Sequence, residues 1–289
     1  MESRRTDLAL EAGELRGEGL EGVESREEEL EGFPLTTVRL TGEAGARALG
    51  KPAGTYHTLN LAGVGRREEG AFPRAARAVA HLLRPLLPHR GEVLVVGLGN
   101  RAITPDAVGP RACDRTLVTR HLAGRAPSPL GELRAVSALA AGVLGTTGVE
   151  SGELVRALCD KIKPACVVAV DALCARRVER LCAAVQICDT GIAPGSGVGN
   201  HRFALSRETL GVPVVALGVP TVVEGTTLCA DLLEEAGAPS PRKLPGASLF
   251  VTPRDIDQRV EDMARVLGHG ITLALQEGLS WDDLVALVE

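Results

Sequence analysis

The sequence predicts an α/β protein, a three-layer α/β/α sandwich around a mostly parallel or mixed central sheet. Three observations point there. The runs 93–96, 166–170 and 214–217 are unbroken, apolar and rich in β-branched residues, as strands buried on both faces of a sheet are. Gly or Asp follows each of them. Segments of helical periodicity alternate with them along the chain, and no repeat of about 20 to 50 residues is visible.

Composition narrows the classes. With 289 residues, 45% of them apolar and 24% charged, the chain can bury one large core. Aromatic residues make up only 2%, so Leu, Val and Ala must fill that core, and base-stacking platforms for single-stranded nucleic acid are not expected. A net charge of -5 gives no basic footprint for nucleic acid. There is no N-terminal hydrophobic region and no apolar run near about 20 residues, so neither a secretion signal nor a membrane span is expected and the location reads as cytoplasmic. The seven cysteines include no C-x-x-C pair, and Cys159, Cys166, Cys182 and Cys188 sit in apolar segments as reduced structural thiols.

In chain order, residues 1–32 carry eleven acids against four bases, with leucines too sparse for a helical stripe, and read as a loose arm. A single α/β domain is expected over 33–289. Alternation at 35–40 and again at 55–61, separated by a Gly/Pro turn, predicts a hairpin at the sheet edge. A helix over 71–87 leads into 93–96, read as the central strand. Gly97 and Gly99 then let the chain leave the sheet, and Thr104-Pro105 reads as a helix start with Thr at the N-cap and the helix running to about His121. Further strands are expected at 134–139, 166–170, 185–188, 213–221 and 249–251. Helices are expected to about Ile162, at 224–236, 255–276 and 280–288.

The chemistry gathers beyond the C-terminal ends of two strands, where open α/β sheets place their sites. Asp106 falls in the first helical turn after 93–96, beside unpaired N–H groups that favour its charged form. Asp171 directly follows five apolar residues, so it must be partly buried, which favours its neutral form. If the two strands are neighbours, their spacing is about 5 Å and both carboxylates lie at one sheet edge. Such a pair titrates together and retains one proton, as hydrolysis of an amide by an activated water requires: Asp106 as base, Asp171 as acid. Simpler readings compete. Asp106 can merely cap its helix, Asp171 can pair with Arg176 or Arg177, and Gly97-x-Gly99-x-x-Ala102 can pass for a dinucleotide fingerprint, although Ile-Thr-Pro before the helix does not fit one. The small-residue loop 140–150, with Gly145 and Thr146, and the Gly-rich loop 189–200 present open backbone amides to a ligand. Neither is a Walker loop nor a G-x-S-x-G elbow, and no cofactor is expected.

A set of motifs makes the reading specific: RTDLA at 5–9, VVGLGN at 95–100 with TPDAVGP at 104–110, VTRHL at 118–122, AVDAL at 169–173, DTGI at 189–192 with PGSGVGN at 194–200, GVPTVV at 218–223 and VTP at 251–253. In this order, over nearly the whole chain, they resemble the germination protease family of spore-forming bacteria. The resemblance implies an endopeptidase of the spore core that starts degradation of small acid-soluble spore proteins, cutting after Glu or Asp before a hydrophobic residue and Ala. It implies a fold like that of hydrogenase maturation endopeptidases, a homotetramer, and essential aspartates at Asp106 and Asp171. It also implies a self-processing zymogen, and Asp7 and Leu8 match the cleavage position, making about 1–7 a short propeptide. Asn100, Thr104, Gly145, Thr146, Gly195, Ser196, Gly197, Gly199 and Asn200 are the expected supporting residues. The chain departs from the family pattern in a shorter pro-segment, a shortened connector before Leu249, Asn60 in place of an acid, and Glu224-Gly225 in place of Asp-Ala. Two alternatives stand beside this reading: a metallopeptidase in which His121 or His201 joins Asp106 and Asp171, and a non-catalytic protein that binds spore proteins on its Gly loops.

Overall fold

Among the described residues, a nine-stranded mixed sheet lies between two layers of helices. The computed structural model describes residues 4–17, 19–122, 133–193, 203–238 and 249–288. The chain begins with α1 (Ala9–Arg16), β1 (Val23–Leu30), β2 (Phe33–Leu40), α2 (Gly42–Leu49), β3 (Gly54–Asn60), α3 (Ala62–Gly65) and α4 (Ala71–Leu83). It continues with β4 (Val93–Leu98), α5 (Val108–Asp114), β5 (Val136–Gly142), α6 (Leu144–Thr147), α7 (Ser151–Ile162), β6 (Cys166–Ala175) and β7 (Ala184–Cys188). The last elements are α8 (Arg207–Leu210), β8 (Val214–Glu224), α9 (Gly225–Glu235), β9 (Phe250–Val251), α10 (Ile256–Leu275) and α11 (Trp281–Val288).

The strand order is β1-β2-β3-β7-β8-β6-β4-β5, with β9 on β8. Strands β8, β6, β4 and β5 run parallel, whereas β1, β2, β3 and β7 form an antiparallel flank that joins β8. This is the α/β/α sandwich the sequence predicts. β4 is not central, however, but next to the outermost parallel strand. Its apolar run reflects cover on both faces, by α4, α5 and α10 on one side and α7 on the other, and two-sided cover reads the same in the middle of a sheet as one strand from its edge.

The described residues among the first 32 are not the loose arm that their composition suggests. Residues 9–16 form α1, and 23–30 form the edge strand β1, paired along its whole length with β2. The predicted hairpin, β2 with β3, therefore lies one strand in from the edge. Most of β1 is exposed Glu, Ser and Arg, the charged pattern that keeps an edge strand from pairing with another chain. Among the described residues no helix is long and apolar enough to cross a membrane. All seven cysteines are free thiols, six buried and Cys229 exposed.

The parallel registers position the site. Val93 to Gly97 pair with Cys166 to Val170, so Asp171 stands level with Leu98, the last residue of β4, while β6 runs on to Ala175 beside β8, past the end that the apolar run suggests. Asp171 is also level with Gly218 on β8, and Gly218 with Gln186 on β7. Laterally paired residues share a face, so Asp171 and Gln186 point to the same side of the sheet with a glycine between them.

Candidate active site

Asp106 reaches the site through close packing that only glycine permits. A Cβ on Gly97 would lie 2.3 Å from the Gly109 carbonyl oxygen, and one on Gly109 would lie 2.3 Å from that of Leu98 and 2.5 Å from that of Val170. Helix α5 can therefore sit directly on the end of β4 and the middle of β6. Gly99, at φ +109°, turns the chain back, and its missing Cβ leaves room for the Asp106 carbonyl, which would be 2.0 Å away. The helix starts later than the sequence suggests. Thr104–Asp106 is a single 3₁₀ turn, α5 begins at Val108 and ends at Asp114, where Thr116 and Thr119 take their hydroxyls to the carbonyls of Ala112 and Arg134 instead of continuing it. The Asp106 carboxylate accepts the Asn100 N–H at 2.7 Å, so a loop amide takes the place of the expected helix N-terminus.

Asp171 sits within β6, 7% exposed, and accepts the N–H of Ala172 at 2.9 Å. The arginines that could have neutralised it are engaged elsewhere: Arg176 with Asp231 at 2.7 Å, Arg177 with Glu235 at 2.8 Å. Asp106 and Asp171 line one cleft of about 1190 Å³, together with Leu98, Gly99 and Asn100. Both carboxylates, remote in sequence, thus border the same cleft.

The N-terminal segment enters the same cleft. Asp7 exchanges hydrogen bonds with Cys174: its N–H donates to the Cys174 carbonyl, and its carboxylate accepts the Cys174 N–H, both at 2.8 Å. Leu8 is fully buried in a cluster with Leu173, Ala175, Leu181 and Val223, and Ala9 in another with Tyr56, Cys188 and Ala216. The Asp7 carbonyl accepts Lys51 Nζ at 2.8 Å and Gln186 Nε2 at 3.2 Å, while Gln186 Oε1 accepts the Ala9 N–H at 2.7 Å. The Thr6 hydroxyl accepts the Leu8 N–H at 3.0 Å. Behind this, the wholly buried Glu11 accepts the N–H groups of Arg176 at 2.6 Å and Arg177 at 3.0 Å and pairs with Arg180 at 2.8 Å. Asp7 thus lines the carboxylate cleft, followed by an extended, buried Leu8 and by Ala9 at the start of α1.

Comparison with known proteins assigns the family. The family model for germination proteases matches residues 3–235. The chain belongs to the germination protease family. A germination protease of Caldanaerobacter subterraneus subsp. tengcongensis is 42% identical over 98% of both chains, and one of Clostridium perfringens is 37% identical over 97% of both. A nickel–iron hydrogenase maturation protease from Thermococcus kodakarensis is a structural neighbour at TM-score 0.38 and 21% identity, covering 66% of this chain and 98% of its own. Family membership makes the chain a protease.

The other predicted positions divide. Asn100 and Gly145 line the cleft. Thr104 does not; its hydroxyl donates to Asp257 of the α10 region at 2.7 Å and fastens the 3₁₀ turn. Thr146 closes the first turn of α6 on Val143. Gly195, Ser196, Gly197, Gly199, Asn200 and His201 lie outside the described residues. His121 is exposed in a 3₁₀ turn and is not part of the cleft lining, and among the described residues no three His, Cys, Asp or Glu side chains come together as a metal site. Lys51 and Gln186 were not anticipated, although each leaves a trace. Lys51 stands in the Gly/Pro loop before β3, and Gln186 is the one polar residue in the buried run AVQIC of β7. Burial holds the Lys51 ammonium below its ordinary range, against the opposing pull of Asp7, Cys188 and Glu11.

Proposed function

We propose that the chain is made as a zymogen, cuts its own Asp7–Leu8 bond, and then cleaves small acid-soluble spore proteins after Glu or Asp in the germinating spore core, as a homotetramer. The observation that carries this is the Asp7-Leu8-Ala9 segment, whose Asp7 lines the cleft of Asp106 and Asp171 while Leu8 and Ala9 are buried in the apolar clusters beside it. It supplies the acidic, hydrophobic and small residues in order, and each has a built seat. In this reading a water between the carboxylates attacks the Asp7 carbonyl carbon. Asp106 takes the water's proton, and the more buried Asp171 gives its proton to the leaving Leu8 nitrogen, so the products are a carboxylate at Asp7 and an amine at Leu8. The Cys174 amide on the Asp7 carboxylate accounts for a preference for acids on the N-terminal side of the cut.

N-terminal sequencing of incubated protein tests it. The wild type should begin at Leu8, while Asp106→Asn and Asp171→Asn should still begin at Met1. Mature, active protein that keeps Met1, or near-normal processing in either variant, sinks the reading. Light scattering checks the tetramer.

A further inference from the structure

We infer that Lys51 and Gln186 are catalytic residues that polarise the scissile carbonyl and hold the oxyanion formed on it. The inference rests on the Asp7–Leu8 cleavage proposed above. Both groups donate to one oxygen, that of Asp7, Lys51 at 2.8 Å, within the span of about 2.7–3.1 Å at which donors stabilise an oxyanion, and Gln186 at 3.2 Å, just beyond it. They come from separate elements, Lys51 from the loop after α2 and Gln186 from β7, and converge on that atom alone. The Gln186 amide also straddles the bond to be cut. Its nitrogen holds the carbonyl on one side, its oxygen the Ala9 N–H two residues further on, which fixes the orientation of the peptide, and Gln186 is level with Asp171 across Gly218.

Charge makes the case for more than a pin. Lys51 has no ion pair with a carboxylate among the described residues, and its partner is a neutral carbonyl. Enclosing an ammonium against a neutral acceptor is costly, whereas the same ammonium facing an oxyanion is strongly favourable in a water-poor cleft. The interaction therefore strengthens as the reaction proceeds. Water addition moves the carbonyl π electrons onto oxygen, where Lys51 and Gln186 meet them. Collapse restores the C=O as the C–N bond breaks and nitrogen takes the proton of Asp171.

The test follows self-cleavage of the full chain at pH 7. Lys51→Met keeps the length and apolar stem and removes the charge. Gln186→Glu keeps the acceptor for Ala9 and removes the donor. Each is expected to slow the first-order appearance of Leu8-starting protein by about 10²–10³-fold, the usual cost of one oxyanion donor. Amide exchange over 8–14, measured in the uncleaved chain carrying Asp106→Asn as well, should stay within threefold of that variant alone. A rate within threefold of wild type in both variants overturns the inference, as does a gain in exchange that matches the loss of rate. If Asp106→Asn itself processes normally, the aspartate mechanism fails instead; if Asp106→Asn is dead while Lys51→Met and Gln186→Glu are fast, only the oxyanion role fails. Should one variant not fold, the other decides.

Discussion

Replacing Glu11 by Ala tests what holds the N-terminal segment in the cleft. Glu11 has no exposed surface, and its carboxylate satisfies the N–H groups of Arg176 and Arg177, the Arg180 guanidinium at 2.8 Å and the Thr6 hydroxyl. The substitution removes one partner of a buried pair and orphans two amides. Breaking such a pair costs about 3–5 kcal/mol, and each tenfold in an equilibrium corresponds to about 1.4 kcal/mol. Local opening of α1 should therefore become more frequent by about two to three and a half orders of magnitude, while the burial of Leu8, worth about 2–3 kcal/mol, still opposes full release. Native-state amide exchange measures this directly, with α10 as an internal reference that should not change. Acceleration of less than tenfold over 9–16, with α10 unaffected, would refute the idea that buried charge anchors the segment. Glu11→Gln keeps the size and one acceptor and should fall between the two.

Three further outcomes follow from the packing. Gly99→Ala puts a Cβ against the Asp106 carbonyl at φ +109°, a backbone clash with no rotamer escape, and should cost about 1–3 kcal/mol in urea unfolding and abolish processing; a stable, active variant would show that the loop is not held as described. Titration with a thiol reagent should label Cys229 quickly and the six buried cysteines only on unfolding, so fast reaction of two or more thiols in the native chain contradicts the burial. Burial raises the Cys113, Cys174 and Cys182 thiols to about 12 and Cys166 to about 11. Because the folded values exceed the unfolded value of 9.0, their contribution is whole below pH 9 and is lost as pH rises toward 11–12, by about 1.4 kcal/mol per unit for each thiol. Urea midpoints that stay flat from pH 8.5 to 10.5 would contradict it.

The parallel half of the sheet was legible because burial on both faces writes itself into unbroken apolar runs. Val93-Leu94-Val95-Val96 and Cys166 to Val170 could hardly be anything else. Their order in the sheet was not legible, since lateral position depends on which crossover packs where, and a run covered by α5 on one side and α7 on the other carries no mark of being next to last. The start of α5 was misread for a local reason. Thr104-Pro105 is a good helix opening in isolation, but tertiary contacts override it: Thr104 is drawn to Asp257, and Gly99 requires the 3₁₀ turn to fold back over it.

Asp106 and Asp171 could be singled out from sequence because each follows an unbroken apolar run, although β6 runs on past Asp171 to Ala175. The groups that grip Asp7 follow no such rule. Lys51 sits in a loop whose only mark is its Gly and Pro, and Gln186 becomes conspicuous only once its strand is known to be buried. The N-terminal segment was misjudged for a related reason. Composition counts how much apolar surface a stretch can bury, and 4–17 buries little: Leu8, Ala9 and Ala12. What docks it is directional, with Glu11 turned onto two amides and an arginine, Arg4 onto Asp231 at 3.0 Å, and Asp7 onto Cys174. A segment held by charge and hydrogen bonds looks, residue by residue, like one held by nothing. That mode of attachment would also suit the release proposed above: an apolar stripe would stay docked after a cut, whereas the described residues before Leu8 are held by ion pairs, hydrogen bonds and the cation–π contact of Arg5 with Phe250. Release of the 1–7 peptide should accordingly quicken with added salt, and a release rate independent of ionic strength between 0.05 and 0.5 M, roughly Debye lengths of 13 and 4 Å, would argue against it.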